Sequence, residues 1–428
     1  MISRRNFGIA ALLAGALALA GCGSSDGSTN GSGDQVADKD TTAEITYAIW
    51  DENQKGFIDE SIAEFNKEFP NIKVTVAHTP YKQYWTKLMT QAEGNNLPDV
   101  FWMNGPNIKL YADGDQLAPL DDIDVDWDKL PEALVELYSF DGKHYGIPKD
   151  FDTTALWYNK AIFEKAGVEL PNSNWTWDDF TKAANEISTK LKGEGIYGVT
   201  ADLTGGQESF YNTMEQAGGY VIKEGKSGFD DPKSIEGLQI WADLIKDGGM
   251  PSVQVMADNK PNDMFASGKA AMIWAGTWNT TNYAKNNPNP SDLDLTDLPK
   301  KDKQATVIHG LANVVAKNSK NVAAAKAFAQ FLGSKRGAEI EGAAGVTLPA
   351  YEGTQEKYLE TYPDWNVKVY PDSAQNYAFP YPVSKNTNAW AGLEAEILAP
   401  AFAGEVPVEQ AAKQMADKMN ELLAKEGN

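Results

Sequence analysis

Residues 44–78 read EITYAIWDENQKGFIDESIAEFNKEFPNIKVTVAH, and the change of period inside them decides the fold. Residues 44–50 are apolar and aromatic at strand spacing. From Asp51 to Phe69, by contrast, Phe57, Ile58, Ile62, Phe65 and Phe69 recur at helical spacing. IKVTVAH (72–78) returns to a strand pattern, Tyr81 to Glu93 reads as a second helix, and DVFWMN (99–104) is short and apolar enough for a buried strand. Strand, helix, strand, helix, strand predicts an α/β architecture, a parallel sheet covered by helices.

Alternation continues along the chain. Asn159 is placed to cap a helix that Gly167 ends, and Thr176-Trp177-Asp178-Asp179 has the form of a capping box. Pro232 suits the first turn of a helix running to Asp247. Pro407 opens a terminal amphipathic helix with Ala411, Met415, Met419 and Leu422 on one face. No repeat of solenoid or propeller length recurs. No low-complexity linker follows residue 43, so two lobes would be joined by ordinary-looking segments.

The N-terminal stretch reads as an address. Arg4 and Arg5 precede an apolar run from Phe7 to Ala20, which as a helix spans roughly 21 Å and falls short of a ~30 Å bilayer core. That describes a signal peptide over 1–21. Leu19-Ala20-Gly21-Cys22 resembles the lipobox of bacterial lipoproteins, in which Cys22 is lipidated, and residues 22–43 form a Gly/Ser tether. Ser3-Arg4-Arg5-Asn6-Phe7 partly resembles the twin-arginine export motif, which leaves that route and general secretion both open. The expected location is extracytoplasmic, anchored to the cell membrane.

Composition excludes several functions. Sixty acidic against 38 basic residues give a net charge of −22, which argues against nucleic-acid partners. Cys22 is the only cysteine, and His78, His144 and His309 are scattered, so neither a disulfide nor a histidine-based metal site is expected. Asp122, Asp124 and Asp126 fail as a calcium loop, because Trp127 would occupy the glycine position and Ala133 the bidentate glutamate position. No nucleophile elbow and no phosphate or dinucleotide loop is present. The sequence therefore predicts no enzyme, no metal and no cofactor.

Aromatic residues at predicted strand ends and turns remain to be explained. Trp50 ends the first strand, Asn104 follows Trp102, and Phe210-Tyr211 follows Gly205-Gly206-Gln207. In AMIWAGTWN (271–279), Trp278 comes two residues after Gly276, and Trp390 follows Asn386 and Asn388. Flat rings stack on the C–H faces of sugars while amides and carboxylates satisfy the hydroxyls, a combination suited to a neutral polar solute in a cleft.

Seven short stretches then occur in an order that resembles the extracellular solute-binding proteins (family 1, maltose-binding-protein-like) of ABC carbohydrate importers. They are Ile58 to Val74 with Phe65, Pro70, Ile72 and Val74; Leu97-Pro98-Asp99-Val100-Phe101; and Tyr145-Gly146-Ile147-Pro148 leading to Leu156-Trp157-Tyr158-Asn159-Lys160. Phe163 to Gly167, Thr176 to Phe180, Phe265 to Trp278, and Ala323 to Leu332 with Pro349 complete the set.

The resemblance implies a two-lobed, type II periplasmic-binding-protein-like α/β fold, each lobe a mostly parallel sheet flanked by helices and joined by a hinge. It places lobe 1 at 44–151 and 308–348, and lobe 2 at 152–307 and 349–428. It implies a lipid-anchored, monomeric receptor that captures a mono- or oligosaccharide and delivers it to ABC permease subunits. The sugar-binding residues carried over are Trp50, Asp51, Glu52, Asn104, Asp152, Gln207, Tyr211, Trp278, Asn313 and Trp390, with Trp274 left in the core. Two alternatives stand beside this. Aromatics with carboxylates also suit a polyamine or other cation, and Asp150 with Asp152 could serve a secreted glycoside hydrolase.

Overall fold

The strand–helix alternation is realised in a computed structural model that describes residues 37–426. The signal peptide and Cys22 lie outside the described residues, as does most of the tether. Residues 37–42, counted with the tether on sequence grounds, form a turn in which the Thr41 amide donates to the Asp38 carbonyl (3.1 Å).

Five strands form the first sheet in the order Ile72–His78, Ala43–Ile49, Val100–Asn104, Leu311–Val315, Gly146–Pro148. Ile45 lies beside Val74 and Tyr47 beside Val100 in parallel register. Leu311–Val315 runs against both of its neighbours. The second sheet has the order Ala378–Pro380, Thr306–His309, Asp150–Asn159, Ala270–Gly276, Tyr197–Thr200. Leu293–Thr296 and Leu348–Pro349 also pair with Asp150–Asn159. That ten-residue strand opposes all the others. Each sheet thus has one reversed strand, and it is the strand the chain reaches at its first crossing into that sheet from the other. Pro148 leads to Asp150, and His309 leads to Leu311.

Local chemistry sets the helix ends. The Thr176 hydroxyl accepts from the Asp179 amide while Asp179 accepts from the Thr176 amide, closing the capping box ahead of helix Trp177–Leu191. Asn159 caps Lys160–Ala166, and Gly167 ends it in the left-handed conformation (φ 64°). Two buried clusters form the core, and the second sheet contributes to both, with Trp157, Ile273 and Ile308 in the first and Leu156, Met272 and Trp274 in the second. Tyr47, Phe65, Trp102 and Phe328 pack in the first, and Phe180, Trp241, Trp274 and Met415 in the second. Each such side chain contributes roughly 1.5–3 kcal/mol by leaving water.

The passages between the sheets are locked by buried charge. The Lys149 ammonium lies 2.6 Å from Asp150, 2.7 Å from Glu341 and 3.1 Å from the Gln54 side-chain oxygen, and all four side chains are buried. Asp150 also accepts from the Leu311 amide (2.7 Å), while the Ala350 amide donates to the Lys149 carbonyl (2.9 Å). All three segments where the chain changes sheets therefore meet at one lysine.

Candidate functional site

Parallel strands Ala43–Ile49 and Val100–Asn104 deliver Trp50 and Asn104 to the same sheet edge, the carboxyl end where open α/β sheets bind ligands. Trp50 meets Tyr81 (5.6 Å between centroids), Tyr84 (5.0 Å) and Trp102 (5.0 Å) edge-on and Trp85 (5.6 Å) at a tilt. Tyr81 is 52% exposed, and its hydroxyl lies 3.5 Å from the Asn104 amide nitrogen. Asn107 donates to the Asn104 side-chain oxygen (2.7 Å). Half-exposed rings beside an oriented amide make the first wall of a candidate sugar site.

A second wall stands on the reversed strand of the other sheet. Gln207 donates to Asp152 (3.1 Å), and its backbone carbonyl accepts from the Thr154 hydroxyl (3.1 Å). Glu208, next along, is buried and accepts from the Gly276 amide (3.0 Å) and from Asn279 (2.9 Å). Burial pushes Glu208 up to about 7, with the Gly276 amide opposing the shift. Burial, then the neighbouring Asp150 and Glu208, raises Asp152 well above the usual carboxylate range. Both groups keep protons far longer than surface acids and can donate as well as accept hydrogen bonds.

Trp278 is 46% exposed. Its indole lies flat against Gly276, where an added β-carbon would stand 2.0 Å from the ring, so only glycine permits the pose. Trp274, within the strand, is buried against Phe180 and Trp241.

His309 joins the two walls. It pairs with Asp152 across the sheet, and its Nε2 accepts from the Gly105 amide (3.2 Å), next to Asn104. Accepting there places the proton of the neutral ring on Nδ1, and burial lowers His309 to about 4. Its ring stands 4.9 Å from Tyr381, and Asn388 donates to Asn107 (2.6 Å). The C-terminal segment around 380–390 thereby meets helix Gly105–Asp113.

The structure sorts the ten expected residues. It groups Trp50 with Asn104, and Asp152 with Gln207, and it exposes Trp278. Three others turn inward. Asn313 is buried and accepts from the Tyr47 hydroxyl (2.7 Å). Tyr211 is buried and donates to Glu394 (2.5 Å), whose carboxyl burial raises to about 8. Trp390 is buried with its indole N–H on Ser384 (2.9 Å). These three support the walls and offer no open face. Asp51 is spent capping the turn Glu52–Gln54, accepting from the Asn53 amide (3.0 Å), and Glu52 lies exposed on that turn.

Sequence reasoning missed Tyr81, Trp85, Glu208, His309 and Tyr381. Tyr81 and Trp85, four apart just after Pro80, carried a signal, because that spacing puts both on one helix face. His309 carried none, since its partner Gly105 is 204 residues away. Among the described residues no group of histidine, cysteine and carboxylate side chains could hold a metal, and no helix is long and apolar enough to cross a membrane.

Comparison with known proteins gives consistent relatives. The family described as bacterial extracellular solute-binding protein matches residues 30–339. An arabinooligosaccharide-binding protein of Bacillus subtilis (strain 168) is 29% identical over 75% of this chain and 74% of its own length. A galactooligosaccharide-binding protein of the same organism is 27% identical over 78% and 77%. An ABC substrate-binding protein from Listeria monocytogenes, solved in complex with cycloalternan, superposes with a TM-score of 0.80 at 29% identity, covering 90% of this chain and 100% of that one.

Proposed function

The chain belongs to the bacterial extracellular solute-binding protein family, and on that premise we propose that it captures an oligosaccharide between its two walls and delivers it to an ABC permease. Support comes chiefly from one observation: two aromatic-and-amide surfaces, Trp50–Tyr81–Asn104 and Asp152–Gln207–Trp278, stand on different sheets joined by the same passages. Sugar contacts from both walls favour a closed form, and closure pivots at 149–152, 307–311 and 348–350. Relatives named for arabino- and galacto-oligosaccharides support chains of several rings rather than single sugars. The family works outside the cytoplasm. We extend that to a lipid on Cys22 as the membrane anchor, which Cys22→Ser would abolish. No step of catalysis is assigned, and the protein acts by binding alone.

Thermal unfolding against arabino-, galacto- and malto-oligosaccharides, with putrescine and spermidine included, tests the reading. Stabilisation by one sugar series without product formation is expected. Stabilisation by the amines alone would overturn the sugar and keep the fold. The raised carboxyls argue against that outcome, because an ammonium ligand prefers acids already ionised.

A further inference from the structure

We infer that Glu208 is a positioning residue: its carboxyl group anchors the turn Gly276–Asn279 and through it sets the pose of the Trp278 indole. Two of the turn's four residues bond to one oxygen, Gly276 through its backbone amide and Asn279 through its side chain. Trp278 lies between them in sequence and rests on Gly276, so whatever holds Gly276 and Asn279 holds the ring. The other side of the anchor is equally fixed. Gln207 is bonded through its backbone to Thr154 and Asn212 and through its side chain to Asp152. The dipeptide Gln207-Glu208 thus ties the reversed strand that carries Asp152 to the exposed tryptophan of the second wall.

Among the described residues no cation acts on Glu208. The titratable groups that feel it are Asp152 on the reversed strand, Asp202 in the loop after Tyr197–Thr200, Tyr283 on Thr280–Asn286 and Tyr370 on Val369–Asn376, with the Asn262 amide as a further donor. A carboxylate accepts N–H bonds more strongly than a neutral acid does. The anchor is therefore firm when Glu208 is ionised and weaker when it is protonated, and burial sets that change near neutral pH. The effect on ligand affinity rests on the sugar-receptor reading above, whereas the effect on Trp278 does not.

The test accordingly uses no ligand. The full chain is labelled with 5-fluorotryptophan, the Trp278 fluorine resonance is assigned by its loss in Trp278→Phe, and pH is varied from 5.5 to 8.5. The resonance is expected to move along a one-proton curve centred near 7. In Glu208→Gln, which keeps an acceptor oxygen but cannot titrate, it should stay fixed. In Asp152→Asn and Asp202→Asn the curve should survive. A wild-type resonance unmoved across the range would overturn the inference, and so would an unchanged curve in Glu208→Gln. The wild-type titration decides even if the glutamine variant fails to fold. A blank sugar panel alongside a clean titration would count against the proposed ligand and leave the role of Glu208 standing.

Discussion

Trp274 and Trp278, four residues apart, differ in whether a glycine intervenes. Strand geometry encloses Trp274 between Phe180 and Trp241, while Gly276 lets the chain turn and lays Trp278 open over its own backbone. Trp278→Ala is expected to weaken oligosaccharide binding by at least ~1.5 kcal/mol, more than tenfold in Kd. Titration calorimetry reads this, with the unfolding midpoint unchanged because the ring is half exposed. Trp390→Ala should do the reverse, costing about 3–5 kcal/mol of stability as a buried aromatic lost. The contrast shows where residue-level reading succeeds. Gly-Thr-Trp is a local cue, and the ring that follows it is half exposed. Burial of Trp390, Tyr211 and Asn313 depends on Ser384, Glu394 and Tyr47, and for the last two pairs the partner lies far along the chain, so no spacing could reveal it.

Elements were more legible than residues, because their signals are local. Helix Tyr81–Glu93 and the capping box at Thr176 stand where periodicity and cap chemistry put them. The lock at the passages is different in kind. Lys149 draws Gln54, Asp150 and Glu341 together across separations of up to 192 residues, and nothing in the run Pro148-Lys149-Asp150 announces it. Its energetics follow from burial. One cation offsets two acids, so its removal leaves two buried carboxyls without compensation. Lys149→Met is expected to cost about 3–5 kcal/mol in chemical denaturation. Combining it with Glu341→Gln should recover part of the loss, since the two positions touch and are not additive. Full additivity would mean that the three passages are held by their backbone bonds alone.

At the scale of the whole molecule, buried acids and a surface excess of negative charge act in the same direction with pH. Glu208 and Glu394 titrate near 7 and 8 in the folded protein, far above ordinary glutamates. Above the ordinary glutamate value of 4.5 the unfolded chain has lost those protons, while the folded chain holds that of Glu208 until about pH 7 and that of Glu394 until about pH 8. Between pH 6.5 and 8.5, then, Glu208 finishes its titration and Glu394 passes through most of its own. Stability therefore falls as pH rises, by at most about 1.4 kcal/mol per pH unit for each group. His309, lowered to about 4, is neutral in both states above its ordinary range and adds no slope there. It costs stability only as pH falls from about 6.5 toward 4, when the unfolded imidazole takes a proton that the buried one refuses. Self-repulsion from the net charge of −22 also grows with pH, but salt separates the two causes. Exposed charges are screened within about 3 Å at 1 M salt, whereas proton binding by a buried carboxyl is hardly touched. Denaturant midpoints measured from pH 6.5 to 8.5 should decline, and most of the decline should persist in 1 M salt. Glu208→Gln and Glu394→Gln should each remove a share of it. A decline that vanishes in salt would assign the effect to the surface, and the buried acids would then be no part of what sets this protein's pH range.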